Sequence, residues 1–337
     1  MAILEKLISD DYHYAQANFM PGGPYGLPSL ACTLLVIVGY FIYHQRSRGR
    51  TANLTLFWRW LLPRKLVFHR STMMDLRLWL LNGIIIGATY FWLAVSGAWV
   101  REATMNGIAS VFGQHAAIVW PAWLVTGMAT VAFLLAYELA YWFGHYLFHR
   151  YAFLWEFHKV HHSAEVMTSL TELRQHPIEI LAFVNLIALS TGFTLGAMAY
   201  VFGPDVGYFK LFNANILLIG FLMTWGHLRH THIWWSFTGI AGRLFQSPAH
   251  HQLHHSDHPD HWDKNLGFSL AVWDWVFGTL VIPPTDRKVL NVRFGVGETN
   301  GDFDTVARVF VRPFIASAGQ LMPAPAQPTA PAASSQS

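Results

Sequence analysis

The sequence is short of charge and nearly empty of cysteine, and each shortage closes off a class of protein. Only 12% of its 337 residues are charged, against roughly 25% in an average soluble domain. A soluble domain this poor in charge lacks the polar surface to cover itself, which argues against a soluble enzyme. With 53% hydrophobic and 15% aromatic residues, most of the chain cannot be disordered. The single cysteine, Cys32, excludes an internal disulfide framework and a cysteine-based zinc or iron–sulfur site. A net charge of +3 gives no support for nucleic acid binding. No flavin or nicotinamide fingerprint is present, and no internal repeat.

What the sequence has instead is apolar length. Hydrocarbon about 30 Å thick needs about 20 apolar helical residues, and five stretches approach that: 27–43, 78–100, 116–143, 180–202 and 206–226. The last two read as a hairpin around the turn Gly203-Pro204-Asp205. Polar residues before the first stretch, and no small-residue cleavage site after it, favour a span over a signal peptide. Residues 44–77 carry Arg46, Arg48, Arg50, Arg59, Arg64, Lys65, Arg70 and Arg77 against one acid, Asp75. The positive-inside rule places that loop on the cytoplasmic side and the N-terminus outside. Within it, residues 55–68 mix tryptophan, leucine and arginine as a helix lying in the membrane interface does. The expected fold is all-α and polytopic, with about four to five membrane helices and a cytoplasmic, histidine-rich helical cap. Its parts are N-terminal spans and basic loop (1–137), a catalytic region (138–282), a cytoplasmic C-terminal segment (283–318) and a disordered Pro/Ala/Ser tail (319–337).

Histidine is the anomaly: 19 in all, 15 of them from His145 to His261. His145 and His149 form HxxxH; His158, His161 and His162 form HxxHH; His251, His254 and His255 form a second HxxHH. Residues three and four apart share a helix face, so each motif aims imidazoles at one place. Adjacent histidines diverge by about 100°, which suits them to two neighbouring ions, one each. Eight imidazoles are too many for one ion, which takes about four to six ligands, and comfortable for two. By the topology above, every dense group falls on one face of the membrane. No glutamate completes an HExxH hydrolase pattern; an all-histidine pair suits redox iron that activates dioxygen. A histidine-lined metal transporter and a b-type haem protein are the alternatives. His13, His44, His69 and His115 read as interface surface residues, and His258 and His261 as solvent-facing or supporting. The roles of His227, His232 and His250 stay open.

Residues 138–279 resemble the fatty acid hydroxylase superfamily, the sterol desaturase and sphingolipid hydroxylase group of integral membrane di-iron proteins. The histidine boxes carry the resemblance together with their flanks: Leu154-Trp155, Arg174-Gln-His176-Pro177-Ile-Glu179, Ser247-Pro248, Lys264-Asn265-Leu-Gly267 and Trp273-Asp274-Trp-Val-Phe277-Gly278-Thr279. The resemblance implies two irons on His145, His149, His158, His161, His162, His251, His254 and His255. It adds His176 and, in Leu-Arg-His-Thr-His, His230. It also suggests that Glu138 orients a ligand imidazole. Tyr146 stands where the family usually has arginine; Arg150 follows the second histidine instead. The implied activity is hydroxylation or desaturation of a lipid C–H bond, with dioxygen as co-substrate. The implied partners are a lipid substrate and a cytoplasmic electron donor: a cytochrome, ferredoxin or flavoprotein. The implied location is a membrane, the inner one in a bacterium.

Overall fold

The computed structural model describes residues 26–290 and 292–321; the N-terminal segment before them and the tail after them lie outside the described residues. Helix α1 (Leu27–Arg46) is followed by two short helices, α2 (Leu54–Leu61) and α3 (Arg64–Val67), divided at Leu62-Pro63. Asn53 caps α2, its side chain accepting from Leu56 N at 2.8 Å, which satisfies one of the free N–H groups of the first turn. Phe57 of α2 packs into a small core with Ile37, Phe41, Leu228 and Ile233, while Leu54, Trp58 and Leu62 remain exposed.

The second apolar stretch does not run straight. Helix α4 (Arg70–Leu93) ends, and α5 (Gly97–Phe112) begins after a break at Ala94-Val95-Ser96. Asn185 satisfies the freed backbone: its Oδ1 accepts from Val95 N at 2.6 Å and its Nδ2 donates to Leu93 O at 3.1 Å. Ser96 then caps α5. The chain turns so that α5 lies on α8 (Pro177–Phe202), reached through α6 (Ala122–Arg150) and α7 (Ala152–His162). Glycine makes that approach possible. A Cβ at Gly192 would stand 2.7 Å from Gly97 O, and one at Gly196 2.5 Å from Arg101 O, the close backbone contact that small residues allow between membrane helices.

Among the described residues, three helices are long and apolar enough to cross a membrane: α1, α6 and α8. The expected fifth span at 206–226 does not form. Strands β1 (Lys210–Leu211) and β2 (Ala214–Asn215) pair instead as a tight hairpin, followed by the seven-residue α9 (Ile216–Leu222). Phe212 and Asn213 take left-handed backbone angles at the turn. Asn215 donates to Thr130 O at 3.0 Å and caps α9 through Leu217 N. These polar ties divert the chain where hydropathy alone reads a helix.

The remainder folds as short helices over the ends of α6 and α8: α10 (Gly239–Leu244), α11 (Pro248–His254), α12 (Val272–Phe277) and α13 (Val306–Leu321). Helix α13 packs on α7, with Phe314 edge-on to Phe157, and Val309 joins Met74, Leu78 and Val160 in a buried core. It continues past residue 319, where the tail was expected to start.

Candidate metal centre

The histidines occupy four pieces of backbone, each locally fixed. His145 and His149 lie on the last two turns of α6. His158, His161 and His162 close α7. His251 and His254 sit on α11, whose start is held by a capping box between Ser247 and His250. His230 follows a short 3-10 turn at Gly226–Leu228.

Two groups result. One holds His145, His149, His158, His162 and His254; the other His161, His230, His251 and His255, with the ligand-type atoms of each group within 4.8 Å of one another. Helical periodicity explains the assortment. In each HxxHH motif the first and last histidines, one turn apart, join one group, and the middle one joins the other. The two groups therefore interleave, and His162 of one stacks on His255 of the other with ring centroids 4.4 Å apart.

Five of the outer nitrogens are already committed, while His230 Nδ1 and His251 Nδ1 are buried without a partner. His145 Nδ1 donates to Leu266 O at 2.8 Å, His254 Nδ1 to Lys264 O at 2.8 Å, and His161 Nδ1 to Arg174 O at 3.2 Å. His158 Nδ1 donates to Glu179 Oε1 at 2.8 Å and His149 Nδ1 to Asp263 Oδ1 at 3.1 Å. A neutral imidazole carries one N–H, so each of these rings presents a bare lone pair at Nε2. Those lone pairs converge: His145 Nε2 lies 3.0 Å from His158 Nε2, which lies 3.1 Å from His162 Nε2. In the second group His230 Nε2 stands 3.0 Å from His161 Nε2 and 2.8 Å from His251 Nε2, with His255 Nε2 3.2 Å from His251 Nε2. The Nε2 atoms of His149 and His254 are buried with no hydrogen-bond partner.

At His145 and His158, whose Nδ1 protons are both committed, the facing Nε2 lone pairs repel and cannot hydrogen-bond. A spacing near 3 Å is the edge subtended by two nitrogens about 2.1 Å from a shared ion. The donor set thus fits a transition-metal ion in each group. Protonation does not offer an escape. Burial, followed by the neighbouring charged groups, holds His158, His162, His230, His251, His254 and His255 well below the ordinary imidazole range. Burial takes His161 down to about 3.

His176 lies apart from both groups. Its Nδ1 caps α8 by accepting from Ile178 N at 3.2 Å, its Nε2 faces Phe310 O at 3.2 Å, and Phe157 and Phe314 pack on the ring. Glu138 reaches no imidazole. Its carboxylate accepts from the backbone N–H of Ser269 and Leu270 and from the Ser269 hydroxyl, anchoring the loop after the last histidine box. His232 faces Trp60 O at 2.8 Å, and His227 meets Ser29 Oγ at 3.2 Å. The histidine-orienting carboxylates are Glu179, quoted from the sequence only as part of a motif flank, and Asp263, which the sequence reading did not name. A signal for Glu179 was present: an acid in the first turn of an apolar helix needs a partner.

A cavity of about 500 Å³ opens onto His149, His162 and His254 of one group and His255 of the other. Trp155 and Trp262 form its walls, with Lys159, Asp257 and Asp263 at its lining. A separate apolar groove runs between α6 and α8 past Leu139, Phe143, Leu186 and Phe193.

The fatty acid hydroxylase family model matches residues 130–279, a segment that contains all nine clustered histidines. Alkylglycerol monooxygenase of Caenorhabditis elegans is 28% identical over 220 residues, 58% of this chain and 40% of the relative. The human alkylglycerol monooxygenase is 29% identical over 141 residues, 41% of this chain and 28% of the relative. Ornithine lipid hydroxylase OlsE of Rhizobium tropici is 27% identical over 165 residues, 49% of this chain and 45% of the relative. The chain thus spans less than half the length of each of these relatives. No solved structure matches it. The histidine boxes and their supporting carbonyls fall within the matched segment, so residues 130–279 are similar to the fatty acid hydroxylase family.

Proposed function

We propose that this chain is a membrane lipid hydroxylase whose two histidine groups each hold an iron ion. His145, His149, His158, His162 and His254 would hold one, and His161, His230, His251 and His255 the other. The observation that carries this reading is the convergence of imidazole Nε2 atoms in two interleaved groups beside an open cavity. When bound, such a pair of ions supplies the oxidising power that dioxygen needs to attack an unactivated C–H bond.

The protein's own part is positional. Glu179, Asp263 and the carbonyls of Lys264, Leu266 and Arg174 fix the tautomer of five imidazoles. Burial keeps the rings neutral and therefore able to donate lone pairs. The cavity admits the reacting part of the substrate past Trp155 and Trp262, with Lys159 and Asp257 available to a polar head group. Hydroxylation is preferred to desaturation because the named relatives are a monooxygenase and a hydroxylase.

The substrate is then an amphiphilic lipid, and electrons come from an external donor. The basic segment 44–77 supports a cytoplasmic location for the centre, since it packs beside the histidine elements. Arg70 pairs with Glu165, three residues after His162, and Trp60 O contacts His232. The test supplies the iron-loaded full chain in nanodiscs with reductant, heavy-isotope dioxygen and total membrane lipid. The reading predicts a lipid that gains one labelled oxygen atom. No labelled lipid from a reduced, iron-loaded chain contradicts it.

A further inference from the structure

Three of the five histidines in the larger group are held by three residues of one short stretch, 263–266. Asp263 accepts from His149, Lys264 O from His254, and Leu266 O from His145. These histidines come from α6 and α11, more than a hundred positions apart in the chain. Asp263 and Asn265 both take left-handed backbone angles, φ 56°, a region that aspartate and asparagine enter more readily than other side-chain-bearing residues but still at a cost relative to glycine. Something must hold them there.

The anchors are visible. Asn265, fully buried, donates through Nδ2 to His250 O at 3.1 Å and to Val281 O at 2.9 Å, and accepts from Val281 N at 2.8 Å. Its own N–H donates to Thr279 O at 2.9 Å. Asp274, also fully buried, accepts from Leu266 N at 2.8 Å and Gly267 N at 2.9 Å. Gln246, Thr279 and Trp142 donate to the same carboxylate. At Gly267 a Cβ would stand 2.2 Å from Leu270 O, so only glycine closes the turn. The four-histidine group takes no hydrogen bond from these residues; its one fixed Nδ1 faces Arg174 O.

We propose that the 263–267 strap, fastened by Asn265 and Asp274, orients three histidines of the five-histidine group and none of the four-histidine group, with Asn265 as a positioning residue. The inference rests on the two-ion reading of the histidine groups and adds to it that the two sites are separately supported. Loosening the strap frees the Nδ1 atoms of His145, His149 and His254 together, and their Nε2 lone pairs lose convergence. The four-histidine group keeps its geometry.

The test is a cobalt(II) titration of the full chain, stripped of metal in detergent, read by d–d absorbance and by metal content per chain. The wild type takes two equivalents. Asn265→Gly keeps the left-handed backbone accessible and removes the side-chain anchors. It should weaken one equivalent by about 10- to 100-fold, the range for partners that orient metal ligands, and leave the other unchanged. Adding His230→Ala to it should remove the surviving equivalent. Asp263→Gly, at a side chain 61% exposed, should weaken the same equivalent as Asn265→Gly, and Asp263→Asn, which keeps an acceptor oxygen, should restore most of it.

Wild-type affinity for both equivalents in Asn265→Gly and Asp263→Gly would overturn the proposal. So would equal weakening of both equivalents, the mark of a general structural role. If Asn265→Gly does not fold, the Asp263 pair decides alone. A wild-type chain that takes up no cobalt overturns the two-ion reading and the inference with it.

Discussion

His158 Nδ1 donates to Glu179 Oε1 at 2.8 Å, with side chains only 2% and 1% exposed. The contact ties the histidine-bearing end of α7 to the first turn of an apolar, membrane-length helix. A carboxylate behind an imidazole fixes its tautomer and raises the basicity of the other nitrogen. Glu179→Gln keeps an acceptor oxygen but loses the charge. Its expected effect is a fall of about 10-fold or more in metal affinity of the five-histidine group, measured by equilibrium dialysis on the folded variant. Unchanged affinity would show that the carboxylate is a structural contact only.

His254→Ala and His261→Ala separate the centre from its surroundings. His254 lies in the five-histidine group and supplies a buried, unpartnered Nε2. His261 belongs to neither group and sits in a short turn after Pro259. Turnover should collapse in His254→Ala and metal content should fall to about one ion per chain, while both should stay near wild type in His261→Ala. Equal effects of the two substitutions would remove the distinction on which the grouping rests.

His176→Ala should keep its metal and lose stability instead. The ring caps α8 and packs between Phe157 and Phe314; loss of a cap alone costs about 0.5–2 kcal/mol. Burial takes the His176 pKa down to about 4. A histidine whose folded pKa is lowered stays neutral while the unfolded chain takes up a proton. Its contribution therefore opposes folding progressively as pH falls from about 6.5 toward 4. Thermal unfolding of the chain between pH 7 and 4.5 should be less acid-sensitive in His176→Ala, by up to about one proton. Loss of one metal equivalent in this variant would place His176 in the centre after all.

The histidine boxes were legible because helical periodicity is short-range. One turn separates His158 from His162 and His251 from His255, so each pair must face one place, and the intervening histidine must face another. What was not legible depended on tertiary partners. The resemblance adds His176, which stands alone, and His230, from the looser group with His227 and His232, alike as further ligands. Only the fold gives His176 to Ile178 N and Phe310 O, and His230 to His161 and His251. The apolar run at 206–226 failed as a span because Asn213 turns the backbone and Asn215 bonds to Thr130. The run at 78–100 broke because Asn185, some ninety residues away, accepts from Val95 N and donates to Leu93 O. Hydropathy sums cannot see a partner that arrives from another helix.

Gly192→Val tests the helix packing independently of the centre. Its side chain would enter a space where a Cβ already stands 2.7 Å from both Gly97 O and Val100 Cβ. Forced overpacking of this kind costs about 1–3 kcal/mol. The expected result is a lower thermal midpoint in detergent, with metal affinity per folded chain retained. A midpoint equal to wild type would mean that α5 does not hold its place on α8.

Metal analysis of the full chain, purified without oxygen and without added chelator, asks whether the two histidine groups are two iron sites. Two such sites give about two irons per chain, one for each group, falling to about one in His230→Ala. A reproducible content of one zinc and no iron would contradict the two-iron reading.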